Sequence, residues 1–126
     1  MKIYLAAPFE ELVRLRGIRS RIQEATKCTV VSSWLDEEPT STAVVPVEGW
    51  PLLASRDLQE IRACKVFILD TFATNTRGGS NVEFGFALGF QTQVWLVGPI
   101  RNVFHTFAQQ KFTDWDRVIE ELGKYA

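Results

Sequence analysis

The chain has little of what metal sites, disulfide frameworks and membrane spans are made from. Its 126 residues hold one histidine, two cysteines and one methionine. Cys28 and Cys64 form no CxxC pair and, with His105 as the lone histidine, supply no zinc ligand set. No metal or other cofactor is expected. Two cysteines in apolar surroundings make no disulfide framework and point to a reducing compartment. No apolar run approaches the roughly 18 residues a membrane span needs, and the apolar start at Met1–Pro8 is too short for a signal peptide. The expected location is the cytoplasm, with no membrane partner. Charge of one sign is missing too: 14 Lys and Arg face 15 Asp and Glu, a net charge of -1. That excludes backbone-driven binding of a nucleic-acid polymer. Repeats and low-complexity segments are absent. What is present is ordinary globular stock, 46% hydrophobic and 23% charged, and 14.3 kDa is one domain's worth of chain, residues 1–126.

Apolar patterning alternates between two periods. Ile3–Ala7 is a short apolar run stopped by Pro8, as in a strand buried on both faces. From Phe9 to Lys27, Phe9, Leu12, Val13, Ile18 and Ile22 follow helical spacing, weakened slightly by Gly17. Cys28–Ser32 is β-branched and predicts a second strand. Trp34–Gly49, with Pro39, Pro46 and a cluster of acids, predicts a long loop. Pro51–Ala63 predicts a helix, and Lys65–Leu69 is the strongest strand, ending at Asp70. A polar loop leads through Arg77-Gly78-Gly79 to a helix from Ser80 to about Phe90. Val94–Val97 predicts a fourth strand closed by Gly98-Pro99. Phe112 falls in a short fifth strand, and Asp114–Gly123 in a last helix. Strands alternating with helices imply an α/β fold: a doubly wound, mostly parallel five-stranded sheet with helices on both faces, Rossmann- or flavodoxin-like. Ligands of such sheets sit beyond the carboxyl ends of the strands. Those ends are Ala7-Pro8, Ser32–Trp34, Leu69–Thr71 and Gly98-Pro99.

Several residues near those ends can carry chemistry, and each has a purely structural reading beside it. Gly78-Gly79, between a strand and a helix, can cradle an anion with backbone N–H groups, although the segment is neither a P-loop nor a dinucleotide fingerprint. Glu83 either projects into the crevice or closes a capping box with Ser80. Asp57 is either a crevice carboxylate or a helix-surface acid paired with Arg56 or Arg62. Asp70 either faces the crevice or satisfies local turn donors. Tyr4 lies in the first strand, where a core tyrosine with its hydroxyl at the rim is the plain alternative. Arg14, Arg16, Arg19 and Arg21 read as a solvated helix face, with an anion patch the lesser option. His105 follows a loop and reads as incidental.

Three segments together resemble the nucleoside 2-deoxyribosyltransferase family, including its nucleotide N-glycosidase branch. They are Ile3-Tyr4-Leu5-Ala6-Ala7-Pro8-Phe9, the stretch Arg56-Asp57-Leu58-Gln59-Glu60-Ile61 running into Val66–Asp70, and Gly79-Ser80-Asn81-Val82-Glu83-Phe84-Gly85-Phe86-Ala87-Leu88-Gly89. Cys64-Lys65 departs from the Ala-Asp usual in the second. The acidic loop after Trp34 and the segment after Pro99 match poorly.

The resemblance implies a retaining displacement at the anomeric carbon of a nucleoside or its 5'-monophosphate. Glu83 would be the nucleophile, Tyr4 would orient it, and Asp57 would help protonate the leaving base. The last role needs a raised pKa. Ala7, Phe9 and Trp34 would line the pocket, with Phe9 or Trp34 stacking on the base. Asp70 would face the substrate. Arg77, Gly78, Gly79 and Ser80 fit a 5'-phosphate better than a free 5'-hydroxyl, and Arg101 and Asn102 could add to that anion site. Water attacking the glycosyl-enzyme would make a hydrolase, and a second base a transferase. The implied partners are a small-molecule nucleoside or nucleotide and further copies of the chain in a homo-oligomer. A different function on the same fold is a non-catalytic nucleotide-binding or regulatory module. A flavodoxin or response regulator is disfavoured, because the first strand ends in Ala-Pro-Phe without an acidic pair or phosphate loop.

Overall fold

A computed structural model describes residues 1–38, 46–74, 77–90 and 92–125. Five strands are present: β1 (Lys2–Ala6), β2 (Thr29–Val30), β3 (Val66–Asp70), β4 (Gln93–Val97) and β5 (Gln110–Phe112). They form one all-parallel sheet in the order β2-β1-β3-β4-β5. The expected α/β fold is therefore the observed one, in the flavodoxin-like strand order. Every residue of β3 is buried, which is what a continuous apolar run without alternation requires. The second strand is shorter than expected because it sits at the edge and pairs with β1 alone.

Among the described residues four helices cover the sheet: α1 (Leu12–Ala25), α2 (Trp50–Ala63), α3 (Gly79–Gly89) and α4 (Trp115–Leu122). Helix α1 packs on α4, and α2 on α3. In α1 the buried stripe is Leu12, Leu15, Ile18 and Ile22, whereas Val13 is exposed. A short 3-10 turn, Phe9–Glu11, precedes α1 and rotates Val13 outward. In α4, Trp115, Val118 and Leu122 are buried at i, i+3 and i+7, and the Asp114 side chain accepts from the Arg117 N–H at 2.9 Å to cap the helix. Burying Leu122 contributes about 2 kcal/mol. Two short 3-10 turns, Ser33–Asp36 and Val47–Gly49, lie where a loop was expected, and residues 39–45 of that loop lie outside the described residues. Another 3-10 turn, Val103–Phe107, follows β4.

Gly98 has to be glycine. Its φ is 115°, and a Cβ there would stand 2.5 Å from Thr71 Oγ1. This lets the end of β4 close against the end of β3, where Thr71 Oγ1 donates to the Pro99 carbonyl at 2.7 Å. Among the described residues no helix is long and apolar enough to cross a membrane.

Candidate active site

Strand order reverses direction between β1 and β3, and a crevice opens beyond their carboxyl ends. Tyr4, in the middle of β1, is fully buried, with its ring stacked on Phe67 of β3 at 5.7 Å. Its hydroxyl donates to Glu83 Oε2 at 2.8 Å. The contact joins the sheet to the second turn of α3. Glu83 therefore does not close a capping box. The helix starts at Gly79, two residues earlier than such a box needs, and its N-cap is Gly78 in the left-handed region at φ 94°. That cap has no side chain to accept a bond, and Ser80 lies inside the first turn. Glu83 Oε1 takes no hydrogen bond from the described residues and is left for the cavity.

Asp57 stands on α2 facing the same cavity. Arg56 reaches it from Nη2 at 3.0 Å and from Nε at 3.2 Å, both to Oδ1, and the same Nη2 reaches Glu37 Oε1 at 2.8 Å. The surface-type pairing with Arg56 and the crevice position thus hold together. Asp57, like Glu83, has committed one oxygen to a protein partner and keeps the other.

Burial dominates the ionisation of these groups. It pushes the Glu83 carboxyl up to about 7, against the Tyr4 hydrogen bond, which favours the charged form, and with Asp57 adding to the rise. Asp57 is raised for the same reason, and Arg56 opposes the rise. Tyr4 is held well above its ordinary value by burial and by the Glu83 charge, so it remains a hydroxyl donor. Of two carboxyls near one cavity, one in its ionised form can attack a carbon while the other, holding a proton, delivers it.

The cavity has a volume of about 480 Å³, which suits a nucleoside-sized ligand. Of the residues expected to bind, Ala7, Phe9, Trp34, Arg77, Gly79 and Ser80 line it together with Glu83 and Asp57. Phe9 and Trp34 are tilted at 46° with their rings 6.3 Å apart, and the Trp34 indole N–H is anchored on the Leu5 carbonyl at 2.8 Å. Arg77 is highly exposed and meets Glu10 across the mouth at 3.6 Å.

Four expected binders are not in the lining. Asp70 is buried, and Arg14 forks onto both its oxygens at 2.8 Å each. The Trp115 indole donates to it at 2.7 Å, and the Phe72 N–H at 3.1 Å. Nothing of this carboxylate remains for a ligand. Arg101 spends its guanidinium on the carbonyls of Thr71 and Phe72. Asn102 caps the 3-10 turn by accepting from the Phe104 and His105 N–H groups. Gly78 acts as the cap of α3 and does not line the cavity itself. The α1 arginines are neither a free solvated face nor an anion patch. Arg14 holds Asp70 and Glu11, Arg16 holds the Leu35 and Glu37 carbonyls, Arg19 holds Asp36, and Arg21 holds Asp116. Sequence reasoning missed Arg56, Glu37 and Trp50 as lining residues. The Arg-Asp dipeptide on α2 was the available signal for the first. The other two flank a loop whose course no periodicity predicts.

No protein-family model and no curated protein sequence matches the chain. Solved structures do. A 2-deoxyribosyltransferase from Bacillus psychrosaccharolyticus is 22% identical, covers 94% of this chain and 90% of its own, and superposes with a TM-score of 0.71. The chain shares the fold of that 2-deoxyribosyltransferase. The CMP N-glycosidase BcmB of Clostridium botulinum is similar to this chain at 15% identity, over 97% of this chain and 98% of its own, with a TM-score of 0.65. A conserved protein from Enterococcus faecalis V583 is 12% identical over 100% of this chain and 99% of its own, with a TM-score of 0.78.

Proposed function

We propose that the protein breaks the N-glycosidic bond of a (deoxy)nucleoside or its 5'-monophosphate by a retaining double displacement. Glu83 Oε1 attacks C1', and the C1'–N bond breaks with its electron pair passing to the base. Asp57 delivers a proton to that base. The glycosyl ester on Glu83 is then opened by an acceptor, whose proton returns to Asp57, and the carboxylate is regenerated. Water as acceptor gives a hydrolase, and a second nucleobase gives a transferase. The cell compartment is the cytoplasm and the working form a homo-oligomer.

The observation that carries this reading is the Tyr4–Glu83 hydrogen bond at 2.8 Å, beside a cavity that Asp57 also lines. An acid tied by one oxygen to a buried hydroxyl is aimed, and its other oxygen is available to react. The solved structures of like fold include a 2-deoxyribosyltransferase and a CMP N-glycosidase, and both names agree with chemistry at this bond. At the mouth, Arg77 and the Gly79-Ser80 start of α3 suit a 5'-phosphate, for which the helix N-terminus is a favourable end.

The test is chromatography of products from a panel of nucleosides and their 5'-monophosphates, with and without a second free base. Release of base that requires Glu83 supports the reading. Tight ligand binding with no base release identifies a binding module instead, and unchanged turnover in Glu83→Ala rejects the nucleophile.

A further inference from the structure

His105 is 2% exposed and lies in the 3-10 turn after β4, outside the cavity lining. Its ring is fully engaged. Nδ1 accepts from the Arg101 backbone N–H at 3.1 Å, so the ring proton resides on Nε2. Nε2 stands 2.9 Å from Asn81 Oδ1, the acceptor for that proton. The donor Asn102 Nδ2 lies 3.1 Å from the same atom and cannot take it. The ring also meets Phe84 edge-on at 5.4 Å.

Asn81 and Phe84 bracket Glu83 along α3. The start of this helix is weakly specified: its cap is a glycine with no side-chain acceptor, and the first helical residue is another glycine. Among the described residues, two side-chain hydrogen bonds reach it from outside the helix. Tyr4 grips Glu83 from β1, and His105 grips Asn81 from the turn after β4. The two are linked through packed rings, with Phe84 6.4 Å from Phe67 and Phe67 stacked on Tyr4.

We propose that His105, neutral and protonated on Nε2, is a positioning residue that fixes the first turns of α3 and thereby the aim of Glu83. An imidazolium would turn an N–H against the Arg101 N–H and break the first of its bonds. Arg101 is the charged side chain acting on the ring, and the groups presented by α3 and by the turn itself, Asn81, Phe84 and Asn102, are uncharged. Burial and the Arg101 charge both push the ring's titration down, keeping the neutral form.

Nitrogen NMR of the imidazole in the wild-type protein tests the first half. A protonated Nε2 with a bare Nδ1 at neutral pH is expected; a proton on Nδ1, or an imidazolium, overturns the proposal. Amide hydrogen exchange at Val82 and Glu83 tests the second half. His105→Phe keeps the contact with Phe84 and loses both hydrogen bonds, and should speed exchange about tenfold. His105→Gln, whose amide reaches the Nε2 position, should return it to within about twofold of wild type. Equal exchange in His105→Phe and wild type, or equal losses in Phe and Gln, overturns it. Asn81→Ala serves where a His105 variant does not fold, and should speed exchange as His105→Phe does. An unchanged rate there overturns the proposal. The activity arm rests on the reading of Glu83 as nucleophile: kcat should fall about tenfold to a hundredfold in His105→Phe with KM nearly constant, and recover in His105→Gln. If the wild-type protein releases no base, the reading of Glu83 falls, while the tautomer and exchange results still decide the role of His105.

Discussion

Asp70 and Glu83 are both acids near the mouth of one parallel sheet, and they have opposite fates. Asp70 accepts from the Arg14 fork, the Trp115 indole and a backbone N–H. It ties β3 to helices on the face of α1 and α4. Glu83 takes a single hydrogen bond, from Tyr4, and turns its other oxygen to a cavity. The difference is one of saturation. A buried carboxylate with four donors has no lone pair left to offer, so it serves stability. A carboxylate with one donor is costly to bury, holds its proton more tightly and can still react.

The largest expected effect separates the two acids by activity. Glu83→Gln should lower base release by about a thousandfold or more, since no second group replaces the attacking oxygen. It should not unfold the protein. The raised Glu83 pKa means that the wild-type chain gains its relative stability below the ordinary value of 4.5 and loses it as pH rises through about 7. The glutamine variant avoids that loss, and in urea melts it should overtake the wild type by about 2–3 kcal/mol at pH 8 and by nothing at pH 4. A variant that melts earlier at pH 8 would place Glu83 with Asp70 in the structural class. Asp70→Asn should do the converse and cost about 3 kcal/mol of stability, because the Arg14 and Trp115 donors lose a charged acceptor. Its turnover at a temperature where it remains folded should stay near wild type.

The same contrast explains what the sequence could reveal. Strand and helix order was legible because β1, β3 and β4 are continuous apolar runs and the helices carry their own periodicity. The pairing of Tyr4 with Glu83 was reachable through the family resemblance, since both residues stand in short recognisable segments. The fate of Asp70 was not, because its partners Arg14 and Trp115 come from 56 residues before it and 45 after it. The capping box failed for a local reason: Gly78, at positive φ, opens the helix two residues earlier than Ser80 would. Arg101 and Asn102 failed because backbone carbonyls and N–H groups, invisible to residue patterns, consumed them. His105 was passed over because a lone histidine carries no pattern at all.

Tyr4→Phe sharpens the comparison by removing the one donor that Glu83 has. The hydroxyl favours the charged carboxylate, so its loss should raise the Glu83 pKa further. The acid limb of kcat/KM should move to higher pH, and the rate at pH 7 should drop about tenfold. At pH 9, where the carboxylate is ionised in both proteins, most of that difference should vanish. A deficit of equal size at every pH would mean that the hydroxyl acts on orientation alone and not on charge.

The smallest effect concerns Arg56, which joins Asp57 on α2 to Glu37 after the second strand. Its charge opposes the burial that raises Asp57. Arg56→Lys keeps the charge, but its chain ends one bond short of the Nη2 that bridges both acids, so one of the two contacts has to go. With Asp57 retained by the nearer neighbour, the Glu37 side of the cavity should loosen, and KM should rise about threefold to tenfold while kcat changes little. Arg56→Met removes the charge as well, which should raise the Asp57 pKa and carry the basic limb of the pH profile upward. Substrates whose leaving base needs no proton should ignore that second shift. Comparing a nucleoside of a strongly acidic base with one of an ordinary base therefore isolates the proton that Asp57 supplies from the grip that Arg56 supplies.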